Sequence, residues 1–537
     1  MLTYFVIAPV LIASVLYLWS NNDIARVVAV AFQLLLFLAS AYLLVVTRNG
    51  EPVVTLVGSE YGLGISLVAN TLAADFVFIT ALIFLSISIY SLREQRDMPL
   101  FWFLLFLMEA SIIGLFLSGD LFNVFVLVEV NTIVTVVLVM YNRGSRHTFH
   151  AMLYLMVNVV AAQFYLFGLG YAYMVSGTLD MAVMSQNLAG VDAGQQALPY
   201  ALIVTSVAFK AALVPFFSWT PKANIYPGSP SAVQAVLSGL QIKTALYLLI
   251  RFQDIFGAVS ASEFFLAAGI VSGLFGAFMA ICQSNIKMIL AYHTISQVGL
   301  IVVGISFSQP GYAHEYSTLG GMYHIFSHAI FKTALFLGAG IIVHSYGTAD
   351  VYRIRGVFRR MPLVAAATGA AVLGIAGAPM FIGSVSKYFI SYDMPLWLNL
   401  TTIAIGLGTI VSFTKFSTIF FGDCELKGDV AKPEPNKALP TLFLGALCLL
   451  GGLFGRQLIY FLFGEVVSIN PADYARKTLV FFASAAAAYF AYNGFIKGNR
   501  TLSMIGRTGF GFKGCVAATG GFFAALLLWV GFTARIF

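Results

Sequence analysis

Predominantly apolar runs of about twenty residues recur along almost the whole chain, separated by short segments that hold most of the Lys and Arg. Coiled as a helix at 1.5 Å per residue, such a run spans the hydrocarbon layer of a membrane. It also satisfies its own backbone hydrogen bonds where no water is present to do so. Composition leaves no other solvent for the chain. It is 60% hydrophobic and 9% charged, with a mean hydropathy of +0.91, whereas a soluble domain carries about 25% charged residues. These numbers exclude a soluble catalytic domain, a nucleotide-binding Rossmann unit and a nucleic-acid-binding module. The net charge of +7 is accordingly a topology signal and no argument for DNA.

The apolar runs predict about sixteen transmembrane helices, at 1–20, 26–47, 64–91, 99–118, 120–141, 147–176, 198–218, 228–250, 258–282, 286–307, 316–345, 363–391, 396–421, 437–463, 477–496 and 513–534. The loops after odd-numbered spans hold about eighteen Lys and Arg, and the even loops and termini about five. By the positive-inside rule this places odd loops in the cytoplasm and both termini outside. The first residues lack a basic leader and a small-residue cleavage site, so they read as a retained helix rather than a signal peptide. Cys282, Cys424, Cys448 and Cys515 are far apart and form no C-x-x-C. Iron–sulfur ligation, covalent haem and a disulfide framework are therefore not expected.

Two spans contain a proline in mid-run. Pro215, in the seventh, frees the carbonyl of Ala211, and Pro379, in the twelfth, frees that of Ile375. The second break is softened further by Gly374, Gly377 and Gly383. Under the charge-derived topology the seventh and twelfth spans run in opposite directions. Interrupted helices at matching places in two opposed halves point to an inverted-repeat transporter, against the blander reading that proline kinks are common in membrane helices.

Charges inside the runs carry the chemistry. Lys210 and Lys243 fall near the middle of their spans, where a charge costs at least ~2.5 kcal/mol. Lys332 and Lys387 are also internal, whereas Lys415 and Arg456 lie towards helix ends and are expected to snorkel to the headgroups. Glu129 and Glu109 supply acidic partners within the fifth and fourth spans. Asp120 stands at the turn between them and Asp75 in the third span, both as ready to serve structure as transport. A static Glu129–lysine pair would be a weak device for stability, which favours a functional one. His324, His328 and Lys332 recur at four-residue spacing and share one helical stripe. Imidazole accepts and donates protons near neutrality, so the stripe suits a proton relay. The rival readings are a metal or haem pair, for which no further ligands have suitable spacing, and hydrogen-bonded core histidines. His293 is alone on its helix and serves either as a relay member or as a core residue. No nucleophile–base pair or phosphate loop accompanies these groups. No cofactor and no metal are therefore expected, and the path suits protons or small cations.

The segments FLSGDLFNVFVLVEV, VAFKAALVPFFSWTPKA, SPSAVQAVLSGLQIKTALYLLIR, IKMILAYHTISQVG, YHIFSHAIFKTALFLGAG and GIAGAPMFIGSVSKYFI, in this order over roughly residues 65 to 420, resemble the antiporter-like subunits shared by respiratory complex I, membrane-bound hydrogenases and Mrp-type sodium/proton antiporters. The resemblance implies an all-α polytopic fold with two inverted five-helix repeats. Residues 1–98 would carry the first three helices, 99–253 the first repeat, 254–421 the second, and 437–537 the last three helices. It casts Glu129 and Lys210 as a pair, Lys243 as the connecting lysine, His324 and His328 as central histidines, Lys387 as the distal basic residue, and Glu109 as a glutamate found in some members. It implies a proton-translocating or cation/proton-antiporting subunit of a multisubunit complex in the cell membrane, with further membrane subunits as partners and H⁺, with or without Na⁺, as cargo. Two departures blur the subtype: Lys222 and Tyr-Pro-Gly in PKANIYPGSPS, and Phe76 where glycine often follows the aspartate. No long lateral arm follows residue 437, which favours D-type Mrp-like or hydrogenase-like members. A quinone-binding oxidoreductase subunit and a stand-alone secondary transporter are the alternatives.

Overall fold

The computed structural model describes residues 1–18, 22–57, 64–93, 99–141, 145–221, 229–259, 261–307, 314–423 and 432–534, the side chains of residues 22, 145–147 and 314 excepted. Cys424 and the departing loop at 222–228 lie outside the described residues. The helices are α1 (Leu2–Leu18), α2 (Asn22–Asn49), α3 (Thr71–Ser91), α4 (Pro99–Leu117), α5 (Leu121–Val139), α6 (Ser145–Ser176), α7 (Met181–Leu188) and α8 (Ala193–Lys210). After them come α9 (Ser231–Val236), α10 (Ile242–Ile255), α11 (Ser262–Cys282), α12 (Ile286–Ser306), α13 (His314–Tyr346), α14 (Val357–Arg360), α15 (Pro362–Ala376) and α16 (Ile382–Ile390). The last are α17 (Leu396–Ser417), α18 (Pro435–Leu453), α19 (Gly455–Phe463), α20 (Pro471–Ala491), α21 (Arg500–Ile505) and α22 (Phe512–Thr533).

The chain is an all-α polytopic membrane protein. Among the described residues, thirteen helices are long and apolar enough to cross a membrane. The expected spans missing from that set are the first, whose helix has 17 residues, and the seventh and twelfth, which are broken as their prolines require. Three short helices, α7, α14 and α21, lie outside the expected spans.

One expected helix begins as something else. Residues 64–70 do not open the third span, because Ile65–Ala69 pairs antiparallel with Val53–Val57, Val53 opposite Ala69. Val53–Val57 is rich in β-branched residues and Ile65–Ala69 adds Ile65 and Val68, which suit a pleated ribbon. Asn70 then caps α3, its side-chain oxygen accepting from the amide of Ala73 at 2.8 Å. The hairpin sits on Gly119, whose amide donates to the Ser66 carbonyl at 2.8 Å. A Cβ at Gly119 would lie 2.5 Å from the Ser66 hydroxyl.

α13 lies at the centre, its apolar window wholly buried, while α20 is among the most exposed helices. Around the centre, small residues let backbones touch. Gly269, Gly273 and Gly276 of α11 face Gly299 and Ser296 of α12, and a Cβ at Gly299 would run into the backbone nitrogen of Gly273. Such close approach gains dispersion contact where lipid supplies no hydrophobic drive.

A short ladder recurs in the two halves. The amide of Leu121 donates to Leu179 at 3.0 Å and that of Met181 to Gly119 at 2.8 Å. Further along, the amide of Ile286 donates to Ala349 at 2.9 Å and that of Val351 to Ser284 at 2.8 Å. Each ladder ties the start of one helix, α5 or α12, to the segment that follows the next, α6 or α13. Asp120 and Asn285 cap the tied helices.

Gly299→Val should force α11 and α12 apart and cost about 1–3 kcal/mol of overpacking strain, read as a lowered thermal unfolding midpoint of the detergent-purified protein.

Candidate functional site

The two helix breaks share a backbone signature. α8 ends at Lys210, and Ala212 follows at φ +56°; α15 ends at Ala376, and Gly377 and Met380 follow at φ +80° and +69°. A non-glycine residue at positive φ is strained, and here one stands at each interruption. Gly377 has a second role, since a Cβ there would lie 2.9 Å from Cδ of Lys387.

Lys210, the last residue of α8, donates to the Thr132 hydroxyl of α5 at 2.7 Å. Glu129, one turn before Thr132, lies near enough to interact with Lys210 electrostatically. It is not within ion-pair distance, however: the salt bridges among the described residues join Arg26 to Asp23, Arg359 to Asp423 and Arg476 to Asp473, all away from this axis. The expected direct pair is thus open, with the threonine hydroxyl in the carboxylate's place. A cavity of about 30 Å³ joins Lys210 to Asn131, Gln241 and Thr244, room for about one or two waters. Gln241 also receives the Thr135 hydroxyl at 3.4 Å and donates to the Tyr154 hydroxyl at 2.9 Å.

Lys243 follows a π-helical turn at Leu237–Gln241, a distortion frequent at functional sites. Its ammonium donates to the Ser238 carbonyl of that turn at 2.7 Å and contacts Nδ1 of His328. One turn earlier on α13, His324 bonds the Ser386 hydroxyl at 2.7 Å and the Gln297 side-chain oxygen at 3.1 Å. The residue after Ser386 is Lys387, whose ammonium donates to the carbonyls of Ile375 and Ala376 at 2.8 and 3.1 Å. The carbonyl freed by Pro379 is therefore occupied by an ammonium rather than left to water. On its other side Lys387 lines an open cavity of about 530 Å³ together with Gln297, Ser384, Tyr388, Ser391 and Lys477.

The remaining candidates stand to the side. Lys332 donates to the Leu290 carbonyl, and His293 bonds the Ser412 hydroxyl and stacks on Phe413. Glu109 is fully buried and receives the Gln33 amide. Asp120 accepts the Asn123 amide at 2.7 Å as an N-cap. Lys415 corrects the snorkelling expectation: it is 1% exposed and its ammonium caps the end of α11 through the carbonyls of Ile281 and Gln283. Its distance from the end of its own span is the wrong guide, because the helix end it serves belongs to a neighbour. Reading charges alone also misses Thr132, Gln241, Gln297 and Ser386. Their signal is available as uncharged polar residues inside apolar runs.

Buried ammonium and imidazole groups threaded through a lipid-facing helical bundle, at two interrupted helices, define an integral membrane protein with an internal polar axis. The chain belongs to the NADH:quinone oxidoreductase/Mrp antiporter transmembrane family, whose model matches residues 118–414. Among its relatives is the D-type subunit of the Na(+)/H(+) antiporter of Alkalihalophilus pseudofirmus, 29% identical over 85% of this chain and 94% of the relative. The N-type subunit of the NADH-quinone oxidoreductase of Desulforudis audaxviator is 30% identical over 74% of this chain and 83% of the relative. A chain in the structure of the Mrp complex from Dietzia sp. DQ12-45-1b superposes with a TM-score of 0.79 at 25% identity, covering 89% of this chain and 99% of that one. A chain of the archaeal membrane-bound sulfane sulfur reductase shares the fold, with a TM-score of 0.77 at 22% identity over 91% of this chain and 99% of that one.

Gly377→Ala should destabilise the protein by about 1 kcal/mol or more, since alanine disfavours positive φ, and should also crowd Lys387. A thermal unfolding midpoint equal to the parent's would contradict the role given to this cap.

Proposed function

We propose that the chain is a proton-conducting subunit of a multisubunit membrane complex, in which H⁺ passes from the Glu129–Lys210 region through Lys243, His328 and His324 to Lys387. The observation that carries this reading is the run of contacts linking three helices: Lys243 to His328, then His324 to Ser386, next to Lys387 at the second break. Its lysines and histidines can hold or release a proton, and the Ser386 hydroxyl can pass one on. The likeness to an Na(+)/H(+) antiporter subunit supports cation movement as the task. It also supports a place beside further membrane subunits.

The gate in this reading is the spacing between Glu129 and Lys210. With the two apart, as here, the lysine rests on Thr132 and its proton is free to leave through the small cavity towards Gln241 and Lys243. With the carboxylate closed on it, the ammonium is held. The positive-φ residues at the breaks let each half-helix shift without unwinding its neighbour. Lys387 would release the proton into the cavity it shares with Lys477. By the distribution of loop charges that cavity and both termini face outward. The recurring ladders at α5 and α12 support two repeats, 99–253 and 254–421, as the moving units. Glu109, His293, Lys332 and Asp120 are assigned supporting roles beside the path.

Moving one charge against 150 mV requires about 3.5 kcal/mol, at ~2.3 per 100 mV. Redox partners or a counter-ion gradient would supply it. Lys210→Ala, in proteoliposomes carrying the whole complex, should abolish coupled proton transport while leaving assembly intact, as judged by co-purification of the other subunits. Undiminished transport in that variant would defeat the proposal.

A further inference from the structure

The short half-helix α16 carries both groups of the path's last step, Ser386 against His324 and Lys387 against the end of α15. It is nine residues long, has no side-chain cap at its start, and packs on α13 and α18. On the side of the open cavity it is held by polar groups of a single helix, α20. At the start of α16 the Tyr474 hydroxyl receives the amide of Met380 at 3.2 Å and meets the Ser384 hydroxyl at 2.9 Å. Ser384 gives its own proton to the Phe381 carbonyl at 2.7 Å, so Tyr474 is the donor between the two. One turn further along α20, Lys477 reaches the other end of α16. It donates to the Tyr388 carbonyl at 2.9 Å, the Ser391 carbonyl at 3.2 Å and the Ser391 hydroxyl at 2.6 Å. Its ammonium also lies 4.6 Å from the centre of the Tyr388 ring. The Tyr388 hydroxyl in turn accepts the amide of Asn470, the cap of α20, at 3.2 Å.

We infer that Tyr474 and Lys477 are positioning residues for the last step of proton transfer: one helix grips α16 at both ends and so sets where Ser386 and Lys387 stand. The inference rests on the proton-path reading and adds to it a holder for the half-helix that must move. Three features set this grip apart from ordinary capping. It reaches into the break itself, since the amide that Tyr474 receives belongs to Met380, at φ +69°. It uses all three donors of the Lys477 ammonium on the end of α16, so that end cannot tilt without giving up charge-assisted bonds. Finally, Tyr474, Lys477, Ser384, Tyr388 and Ser391 all line the open cavity. Water can replace each bond there, so letting go strands no buried polar group. The grip is thus strong enough to register α16 and cheap enough to release. Because Ser386 and Lys387 are neighbours on α16, one tilt separates Ser386 from His324 and lifts Lys387 from the carbonyls of Ile375 and Ala376 together.

Two measurements on the whole complex decide the matter: hydrogen–deuterium exchange of the backbone amides of residues 380–391, and proton transport in proteoliposomes. Tyr474→Phe and Lys477→Met should each speed exchange over that segment about tenfold while leaving α12 and α15 as in the parent. Both should slow coupled transport about tenfold, because the transferring groups lose their register, with the other subunits still co-purifying. Lys477→Arg keeps the charge and the donors and should return both readouts to near the parent's. Lys210→Ala should exchange like the parent over 380–391 whether or not it transports, so a failure of the proton path is read separately from a failure of the grip. If Lys477→Met does not assemble, Tyr474→Phe, which removes one hydroxyl, decides alone. Parent-like exchange over 380–391 in every assembled Phe or Met variant overturns the proposal. So does undiminished transport in a variant whose α16 has loosened, or an arginine variant as impaired as the methionine one.

Discussion

An ammonium in a bilayer needs a negative counterpart, and in this protein backbone carbonyls supply it far more often than carboxylates do. Lys387 rests on the last carbonyls of α15, Lys415 on those that close α11, and Lys243 on a carbonyl of a π turn. Lys477 in the same way takes the carbonyls of Tyr388 and Ser391 at the end of α16. The last turn of a helix leaves such oxygens unpaired and carries the negative end of the helix dipole. Breaking a helix in mid-membrane therefore creates a cation site at a depth where water would otherwise be needed. Among these lysines the placement of helix ends and turns, more than that of acidic residues, decides where the positive group rests.

That arrangement suits a charge that must move. A lysine held by dipoles is held less tightly than one locked to a carboxylate in a low-dielectric interior, where the attraction between full charges is large. Glu129 stays one turn away from the hydroxyl that Lys210 uses. The imidazoles of His324 and His328 are reached through a hydroxyl, an amide and the amino group of Lys243, all of them on side chains that can reorient.

Much of this was legible in the residues. Lys210, Lys243 and Lys387 announce themselves because a charge in an apolar run needs a reason, and Pro215 and Pro379 mark the interruptions because they lack an N–H. The partners were far less legible. A backbone carbonyl is present at every residue, so nothing about Ile375 or Ser238 sets it apart until the fold brings an ammonium to it. Ser386, Thr132 and Gln297 were visible as polar residues among apolar ones, but charge-centred reasoning passes over them. The hairpin was hidden for a different reason. Residues 64–70 read by hydropathy as part of the α3 run, and only Asn70, which caps α3, and the β-branched Ile65 and Val68 before it hint that the helix starts later. Hydropathy reports burial in lipid and is blind to how the backbone satisfies itself there. Lys415 departs from the snorkelling expectation because distance along its own span says nothing about which neighbouring helix stops beside it.

The two short ladders at Leu121/Met181 and Ile286/Val351 pin one end of the helices they tie, through backbone bonds that no side-chain substitution removes. A helix fastened at one end can act as a lever, whose travel grows with distance from its fulcrum. Tilting of α5 or α12 therefore leaves the clasped ends nearly still. Any such tilt would act further along, at the turns that carry Glu129 and Thr132 in one half and His293 and Gln297 in the other.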